Sequence, residues 1–160
     1  MTATSRADTA VIDWAAPFDD LVDGAAFLTP ERVVTEADVL AFAGLTGDHH
    51  PLHTDADWAA DGPFGERIAH GMLVLSAAVG LVPLDPRRVR ALRGLRDVTF
   101  KRPVPLGSTI SVRGAIASLR PASPEAGLVG LTWSVLDERG RTACRAAVDL
   151  LWGREPAHAA

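Results

Sequence analysis

The segment Ile68–Val82 constrains the fold of this chain more than any other. Its apolar side chains recur at helical spacing on nearly every face, as in the run Met72-Leu73-Val74-Leu75. A helix with so little polar surface must be buried, so other parts of the chain must surround it. The longest apolar run, Gly71–Leu84, is too short to span a bilayer, so we expect its surroundings to be protein and not membrane.

The second half of the sequence supplies four strand patterns. In one of them Ile110 and Val112 alternate with polar residues, as in a strand with one buried face. Arg102–Gly107 predicts a bend between strands, and Asp137–Gly140 predicts a hairpin turn. The four predicted strands are Leu92–Lys101, Ser108–Leu119, Gly127–Leu136 and Thr142–Trp152. The predicted helices lie in the first half of the chain and the predicted antiparallel strands in the second half. This order predicts an α+β fold, in which an antiparallel sheet wraps around one long buried central helix.

The first half of the sequence predicts shorter elements. Ala26–Val34 has the pattern of a strand, and Thr35 with Asp38 resembles a capping box that opens a helix. Gly44 and Gly47 are predicted to end that helix, and a short helical turn is expected near residues 55–60.

Length and composition predict one globular domain. The chain has 160 residues, 48% of them hydrophobic and 22% charged, which is enough for one hydrophobic core. We expect a loose leader over residues 1–16, the domain over 17–152 and a tail over 153–160. The net charge of −4 argues against a nucleic-acid partner. The only cysteine, Cys144, cannot form an internal disulfide, and no signal-peptide pattern is present, so we expect a cytoplasmic protein.

The chemistry concentrates in the segment Asp48-His49-His50-Pro51-Leu52-His53. Because Pro51 keeps His50 out of the helical region, the segment is predicted to be an ordered loop. Asp48 and His53 can converge on one water, since a carboxylate accepts a proton and an imidazole exchanges one near neutral pH. The spacing alone leaves open a surface loop in which Asp48 caps a turn and the histidines are solvated.

A glycine lies where the buried helix is predicted to begin. Free backbone N–H groups and the positive end of the helix dipole meet at Gly71, and together they suit developing negative charge. The enolate-like oxygen of a thioester carbonyl, formed when a nucleophile attacks the β-carbon, is such a charge. The alternative is a glycine required only for packing of the helix on the sheet.

Two motifs in register resemble the MaoC-like hydratases of the hot-dog fold, which include (R)-specific enoyl-CoA hydratases. The first, at residues 42–55, reads Phe-Ala-Gly-Leu-Thr-Gly-Asp-His-His-Pro-Leu-His-Thr-Asp, and the second, at residues 64–73, reads Phe-Gly-Glu-Arg-Ile-Ala-His-Gly-Met-Leu. Phe18–Gly24 looks like the family's entry strand, and Phe100–Ser108 resembles its bend between strands. The resemblance extends over about residues 18–152.

The resemblance implies a reaction and a set of roles. Asp48 and His53 would be the catalytic pair, and the Gly71 amide would form the oxyanion hole. The implied reaction is reversible hydration of a trans-2-enoyl thioester to the (R)-3-hydroxyacyl thioester. The substrate would bring its own CoA or phosphopantetheine from acyl-CoA or an acyl carrier protein, so no separate cofactor and no metal is expected. Such folds usually pair into homodimers with joined sheets, and the pantetheine arm then enters along the interface.

Further residues are predicted to support or line the site. His50 stands where the family usually has Asn, and it is expected to support the loop. The predicted supporting or pocket residues are His50, Pro51, Phe64, His70, Met72 and Ser76. Three arginines are candidate contacts for the phosphates of CoA: Arg87, Arg88 and Arg93. A stretch of solvated arginines is the alternative.

Three rival functions remain open at this point. Four histidines and an aspartate fall within residues 48–70, a composition that can supply zinc or iron ligands, although the adjacent His49 and His50 diverge. A thioesterase on the same fold would direct the water to the carbonyl carbon. A non-catalytic subunit would only bind an acyl thioester.

Overall fold

The computed structural model describes residues 10–154 of the chain. Its helices are α1 (Glu36–Thr46), α2 (Pro51–Thr54), α3 (Ala56–Ala60) and α4 (Gly71–Leu81). Its strands are β1 (Ala26–Leu28), β2 (Arg32–Val33), β3 (Val89–Phe100), β4 (Thr109–Ser123), β5 (Ala126–Asp137) and β6 (Thr142–Gly153).

All the strands form one antiparallel sheet. The spatial order is β1-β4-β5-β6-β3, and β2 pairs with β4 beside β1. The predicted meander from β4 to β6 is confirmed, including the turn at Asp137, where the Gly140 N–H donates to the Asp137 carbonyl at 2.8 Å. β4 runs four residues past its predicted end and includes Pro121. The proline is tolerated because β1 pairs with β4 only as far as Ala115, so no strand needs its missing N–H on that side.

Helix α4 packs against this sheet, as its apolar pattern predicted. Its buried residues are Leu73, Val74, Leu75, Ala77 and Ala78. They share one hydrophobic core with sheet residues that include Val112, Val129, Leu131, Val148 and Leu150. This is the predicted α+β hot-dog arrangement, a sheet around a central helix. Burial is incomplete, because Met72, Ser76 and Gly80, spaced one turn apart, form an exposed stripe along the helix.

Two strand predictions near the N-terminus are wrong. Phe18–Gly24 is not an entry strand: Phe18–Asp20 form a 3₁₀ turn, and Gly24 has a left-handed φ of 76°. The segment bends because Phe18 turns inward and is buried. The predicted strand Ala26–Val34 is two short strands, because Pro30 cannot donate to the ladder and Thr29 bonds to β4 partly through its side chain.

The packed region reaches back beyond residue 17. Ile12 is buried, and the Trp14 ring stacks on Trp152 with ring centroids 5.7 Å apart. At the other end Gly153 completes β6, and Arg154 pairs with Asp19 at 2.7 Å. The remainder of the predicted leader, residues 1–9, and of the predicted tail, residues 155–160, lies outside the described residues. Within the described part of the chain the longest helices have 11 residues, and none is long and apolar enough to cross a membrane.

We expect Leu75→Ala to lower the free energy of unfolding by about 2 to 5 kcal/mol, because it leaves a cavity between α4 and the sheet. Ser76 is the neighbouring residue and lies on the exposed stripe, so Ser76→Ala is the matched control. It should change the free energy of unfolding by less than about 0.5 kcal/mol. Chemical denaturation measures both. Equal losses in the two variants would contradict the described burial of α4.

Candidate active site

The loop between α1 and α2 carries the predicted catalytic residues. The capping box at Thr35 is present, and α1 continues through Gly44 to end at Gly47, whose φ is 80°. The prediction that Gly44 ends the helix is therefore wrong. Beyond the loop, Pro51 begins the short helix α2, so His53 lies on a helical turn, and the prediction of an ordered loop through His53 is wrong there. Proline favours the first helical position because its missing N–H has no partner there in any case.

His50 holds this loop as the N-cap of α2. Its backbone is not helical, as Pro51 predicted, with φ −54° and ψ 133°, and its Nδ1 accepts the Leu52 N–H at 3.1 Å. The ring also packs edge-on against Trp58, with centroids 5.4 Å apart. His50 therefore supports the loop, as expected from its place in the motif. Neither His50 nor Pro51 is among the residues that line the cavity beside the loop.

Asp48 has two environments at once. One carboxylate oxygen accepts the His50 N–H at 3.3 Å. Asp48 therefore caps a turn, as one interpretation of the sequence predicted. The side chain is also half exposed and lines the cavity. A carboxylate has room for several hydrogen bonds, so the turn contact leaves Asp48 free to accept from a second partner.

The hydrogen bond at one ring nitrogen of His53 assigns its tautomer. Nδ1 lies 2.7 Å from the Ile68 carbonyl oxygen. A carbonyl only accepts, so Nδ1 carries the proton and Nε2 of the neutral ring carries a lone pair. His53 therefore offers a hydrogen-bond acceptor at Nε2 and lines the same cavity as Asp48.

His70 is the most deeply buried polar side chain of the site. It is 2% exposed, and its Nε2 lies 2.9 Å from the backbone carbonyl oxygen of Asp48. Its ring lies against that of His53 with centroids 3.8 Å apart, and Phe42 packs nearby at 5.1 Å. The sequence placed His70 among the supporting residues but gave no contact for it.

The Asp48, His53 and His70 side chains converge. One polar atom from each of them lies within 4.8 Å of the other two. They share a cavity of about 690 Å³ with Gly71, the first residue of α4. Most of the remaining lining is apolar and includes Phe42, Phe64, Met72, Val74, Phe100 and Val104. An acid–base pair thus faces the amide end of a buried helix across one apolar space.

The position of Gly71 is compatible with both interpretations drawn from the sequence, the oxyanion hole and close packing. The first N–H groups of a helix have no intrahelical acceptor, so its amide is available at the cavity. A Cβ at this position would lie 2.9 Å from the Phe100 ring, so a larger residue would have to displace that ring. The packing contact and the oxyanion role therefore need separate tests.

Several other predicted site residues lie elsewhere. Ser76 is exposed on α4 and does not line the cavity, because the helix turns it away from the end that carries Gly71. Arg88 is buried and its Nε donates to the Ala15 carbonyl at 2.8 Å, so its prediction as a phosphate contact is wrong. Arg87 binds Asp85 through two side-chain hydrogen bonds and one from its backbone N–H. Neither Arg87 nor the exposed Arg93 lines the cavity, and for these two the phosphate contact stays a prediction.

The cavity also has charged and thiol-bearing lining residues that the sequence did not single out. Lys101 and Arg102 follow directly after β3 and line the cavity with exposed side chains. Their position at the end of a strand pattern, next to the predicted bend, was the available signal. Cys144 lines it from β6, but burial raises the pKa of its thiol, so it is not an activated nucleophile.

Asp48, His53 and His70 are also the candidate ligands of a metal ion. A carboxylate and two imidazoles match the ligands of zinc or iron. The His53 and His70 rings lie face to face, with planes 30° apart. One nitrogen of each ring bonds a backbone carbonyl, an arrangement that metal-bound histidines also have, so removal of metal by a chelator has to separate the two functions.

An antiparallel sheet around a central helix, with a carboxylate–imidazole site at the amide end of that helix, defines a protein of the hot-dog fold. The chain belongs to the MaoC-like domain family, whose model matches residues 21–125. That range includes α1, α2, α4 and all the residues discussed above at the site except Cys144.

Two curated relatives show the extent of the match. The chain is 45% identical over 97 residues to Protein MaoC of Klebsiella aerogenes. The aligned region covers 60% of this chain but only 29% of that longer protein. It is 36% identical over 124 residues to the 3-hydroxybutyryl-CoA dehydratase of Methylorubrum extorquens, which accounts for 76% of each.

Two solved structures have the same fold. The structure of a monoamine oxidase regulatory protein from Archaeoglobus fulgius superposes with a TM-score of 0.82 at 35% identity, over 88% of this chain and 96% of that one. The (R)-hydratase of Pseudomonas aeruginosa superposes with a TM-score of 0.71 at 30% identity, over 87% of this chain and 86% of that one.

If His50 acts as an N-cap, replacing it by Asn, the residue usual in the family, should keep the free energy of unfolding within about 0.5 kcal/mol of the original, because Asn is a strong N-cap. His50→Ala should lower it by about 1 kcal/mol through loss of the bond to Leu52. Thermal or urea denaturation distinguishes them. A His50→Asn variant as unstable as His50→Ala would show that the cap is not what His50 contributes.

Proposed function

We propose that this chain catalyses the reversible addition of water to a trans-2-enoyl thioester, giving the (R)-3-hydroxyacyl thioester. The observation that carries the proposal is the meeting of Asp48, His53 and the Gly71 end of α4 at one apolar cavity. Membership of the MaoC-like family and relatives named as a dehydratase and an (R)-hydratase support it.

The reacting water would lie between the catalytic pair. The Asp48 carboxylate and the His53 Nε2 lone pair both accept hydrogen bonds, so the two protons of one water point at them and an oxygen lone pair stays free. As that oxygen bonds to C3 of the substrate, one water proton passes to the pair and is then delivered to C2. Because both groups lie on one side, hydroxyl and proton add to the same face.

The developing negative charge would lie on the thioester oxygen. The Gly71 amide and the positive end of the α4 dipole stabilise an enolate-like oxygen there. The mostly apolar lining lowers the polarity around the thioester, which strengthens this interaction, and it suits an acyl chain. In dehydration the same groups act in reverse order.

The carrier and the assembly belong to the same proposal. The acyl group would arrive on CoA or on the phosphopantetheine of a carrier protein. Among the described strands β3 pairs only with β6, so its outer edge is free, and three of its apolar side chains are exposed: Leu92, Leu95 and Phe100. A second copy joined at this edge would continue the sheet and cover those side chains.

Mixing the purified chain with crotonyl-CoA should reduce absorbance at the conjugated enoyl band. Asp48→Asn and His53→Ala should each lower kcat on the order of 10²- to 10⁴-fold, because each removes one of the two groups that hold the water. Asp57→Asn and His49→Ala are the matched controls. Both are exposed residues outside the cavity lining, and both variants should keep full activity.

The same assay separates the rival functions. Release of free CoA thiol without loss of the enoyl group would indicate a thioesterase. Loss of activity in chelator, restored by metal, would indicate a metal enzyme. Folded protein that is inert toward a broad panel of enoyl and 3-hydroxyacyl thioesters would favour a binding subunit, and normal turnover by Asp48→Asn or His53→Ala would refute the assigned roles.

Gly71→Ala should reduce kcat by on the order of 10²-fold, because its Cβ displaces the Phe100 ring and blocks approach of the thioester to the amide. Gly80→Ala on the same helix is the control, since a Cβ there meets nothing within 4 Å, and it should leave activity unchanged. Steady-state kinetics measures both. Unchanged turnover in Gly71→Ala would argue for glycine as a packing residue alone.

A further inference from the structure

We propose that His70 is a positioning residue that aligns the catalytic pair with the amide end of α4 while touching no reacting atom. The inference rests on the proposed hydration reaction and adds to it a specific hydrogen bond and a specific tautomer. Two contacts of its buried side chain and its backbone position carry it.

The first contact holds Asp48. The His70 Nε2–H donates to the Asp48 backbone carbonyl at 2.9 Å. The other hydrogen bonds at Asp48 are longer: Thr46 Oγ1 accepts its N–H at 3.3 Å, and its carboxylate accepts the His50 N–H at 3.3 Å. Asp48 lies in an exposed loop, so the buried His70 provides its shortest anchor to the core.

The second contact holds His53. Its ring edge is fixed by the bond from Nδ1 to the Ile68 carbonyl, and its face lies against the His70 ring at 3.8 Å. Phe42 packs on His70 at 5.1 Å, which supports the ring from within the core. A ring held at one edge and one face has little freedom to turn its Nε2 away from the water. Misplacement of a catalytic group by about 1 Å can cost 10²-fold in rate.

The third link runs through the backbone. His70 is the N-cap residue of α4, so its backbone leads directly into Gly71. His50 has nearly the same backbone conformation at the start of α2 and uses its Nδ1 to cap that helix. The His70 side chain makes no such cap bond and reaches across to Asp48 instead, which leaves the first amides of α4 uncapped by it. One residue therefore connects the acid–base loop to the proposed oxyanion hole.

The contacts require one particular tautomer. Because the Asp48 carbonyl only accepts, the single proton of neutral His70 must lie on Nε2. Nδ1 is buried, with no hydrogen-bond partner among the described groups. The geometry thus assigns His70 as a donor through Nε2 to the loop that carries Asp48.

Two substitutions separate the hydrogen bond from the ring. His70→Phe keeps an aromatic ring beside His53 and Phe42 but has no N–H for Asp48. His70→Gln keeps an N–H donor and loses the ring. With crotonyl-CoA we expect His70→Phe to lower kcat at least about tenfold with KM within about threefold, because the lost bond aligns Asp48 with the water and does not hold the substrate. His70→Gln should lower kcat less than His70→Phe does, because it keeps the bond to Asp48 and loses only the ring face beside His53.

Unchanged kcat in folded His70→Phe, or equal losses in folded His70→Phe and His70→Gln, would overturn the role of the bond. A second measurement needs no variant. Long-range ¹H–¹⁵N NMR of histidine-labelled original protein should show His70 with its proton on Nε2 alone, and a proton on Nδ1 would contradict the inference. If the original protein hydrates no enoyl thioester, the proposed function fails, and the NMR result still decides whether His70 is the described donor.

Discussion

Burial of the apolar helix α4 against the sheet is the constraint on which the rest of the molecule depends. The helix places Leu73, Val74 and Leu75 in the core, so its first turn is fixed in space relative to the strands. Its amide end then opens into a cavity closed partly by Phe100 at the end of β3. The α1–α2 loop has to reach that same end, and the hydrogen bond from His70 to Asp48 holds it there. Position of the chemistry thus follows from packing of the core.

Much of this could be predicted because the relevant signals are local. The apolar period of α4, the alternation in β4 and the capping box at Thr35 each depend on neighbouring residues in the sequence. The convergence of Asp48 and His53 followed from a short loop containing Pro51. The start of α4 at Gly71 was likewise marked by the residue type itself.

The errors arose where tertiary contacts decide. Whether Ser76 faces the cavity or solvent depends on which side of α4 the sheet covers, and the apolar period alone does not give that side. Arg88 was counted with exposed arginines, yet it bonds a carbonyl more than seventy residues away at Ala15. Phe18 bends its segment out of a strand because it is buried in the core. The contact between His70 and Asp48 also joins residues far apart in sequence, so the motif could name His70 but could not give its bond.

The most direct measurement of the central claim is a crystal structure of Asp48→Asn protein soaked with a 3-hydroxyacyl-CoA. The account predicts the thioester oxygen about 2.7 to 3.1 Å from the Gly71 nitrogen. It also predicts the C3 hydroxyl between residue 48 and the Nε2 of His53. A thioester bound with its carbonyl directed away from α4, or with its C3 hydroxyl outside reach of both residues, would contradict it.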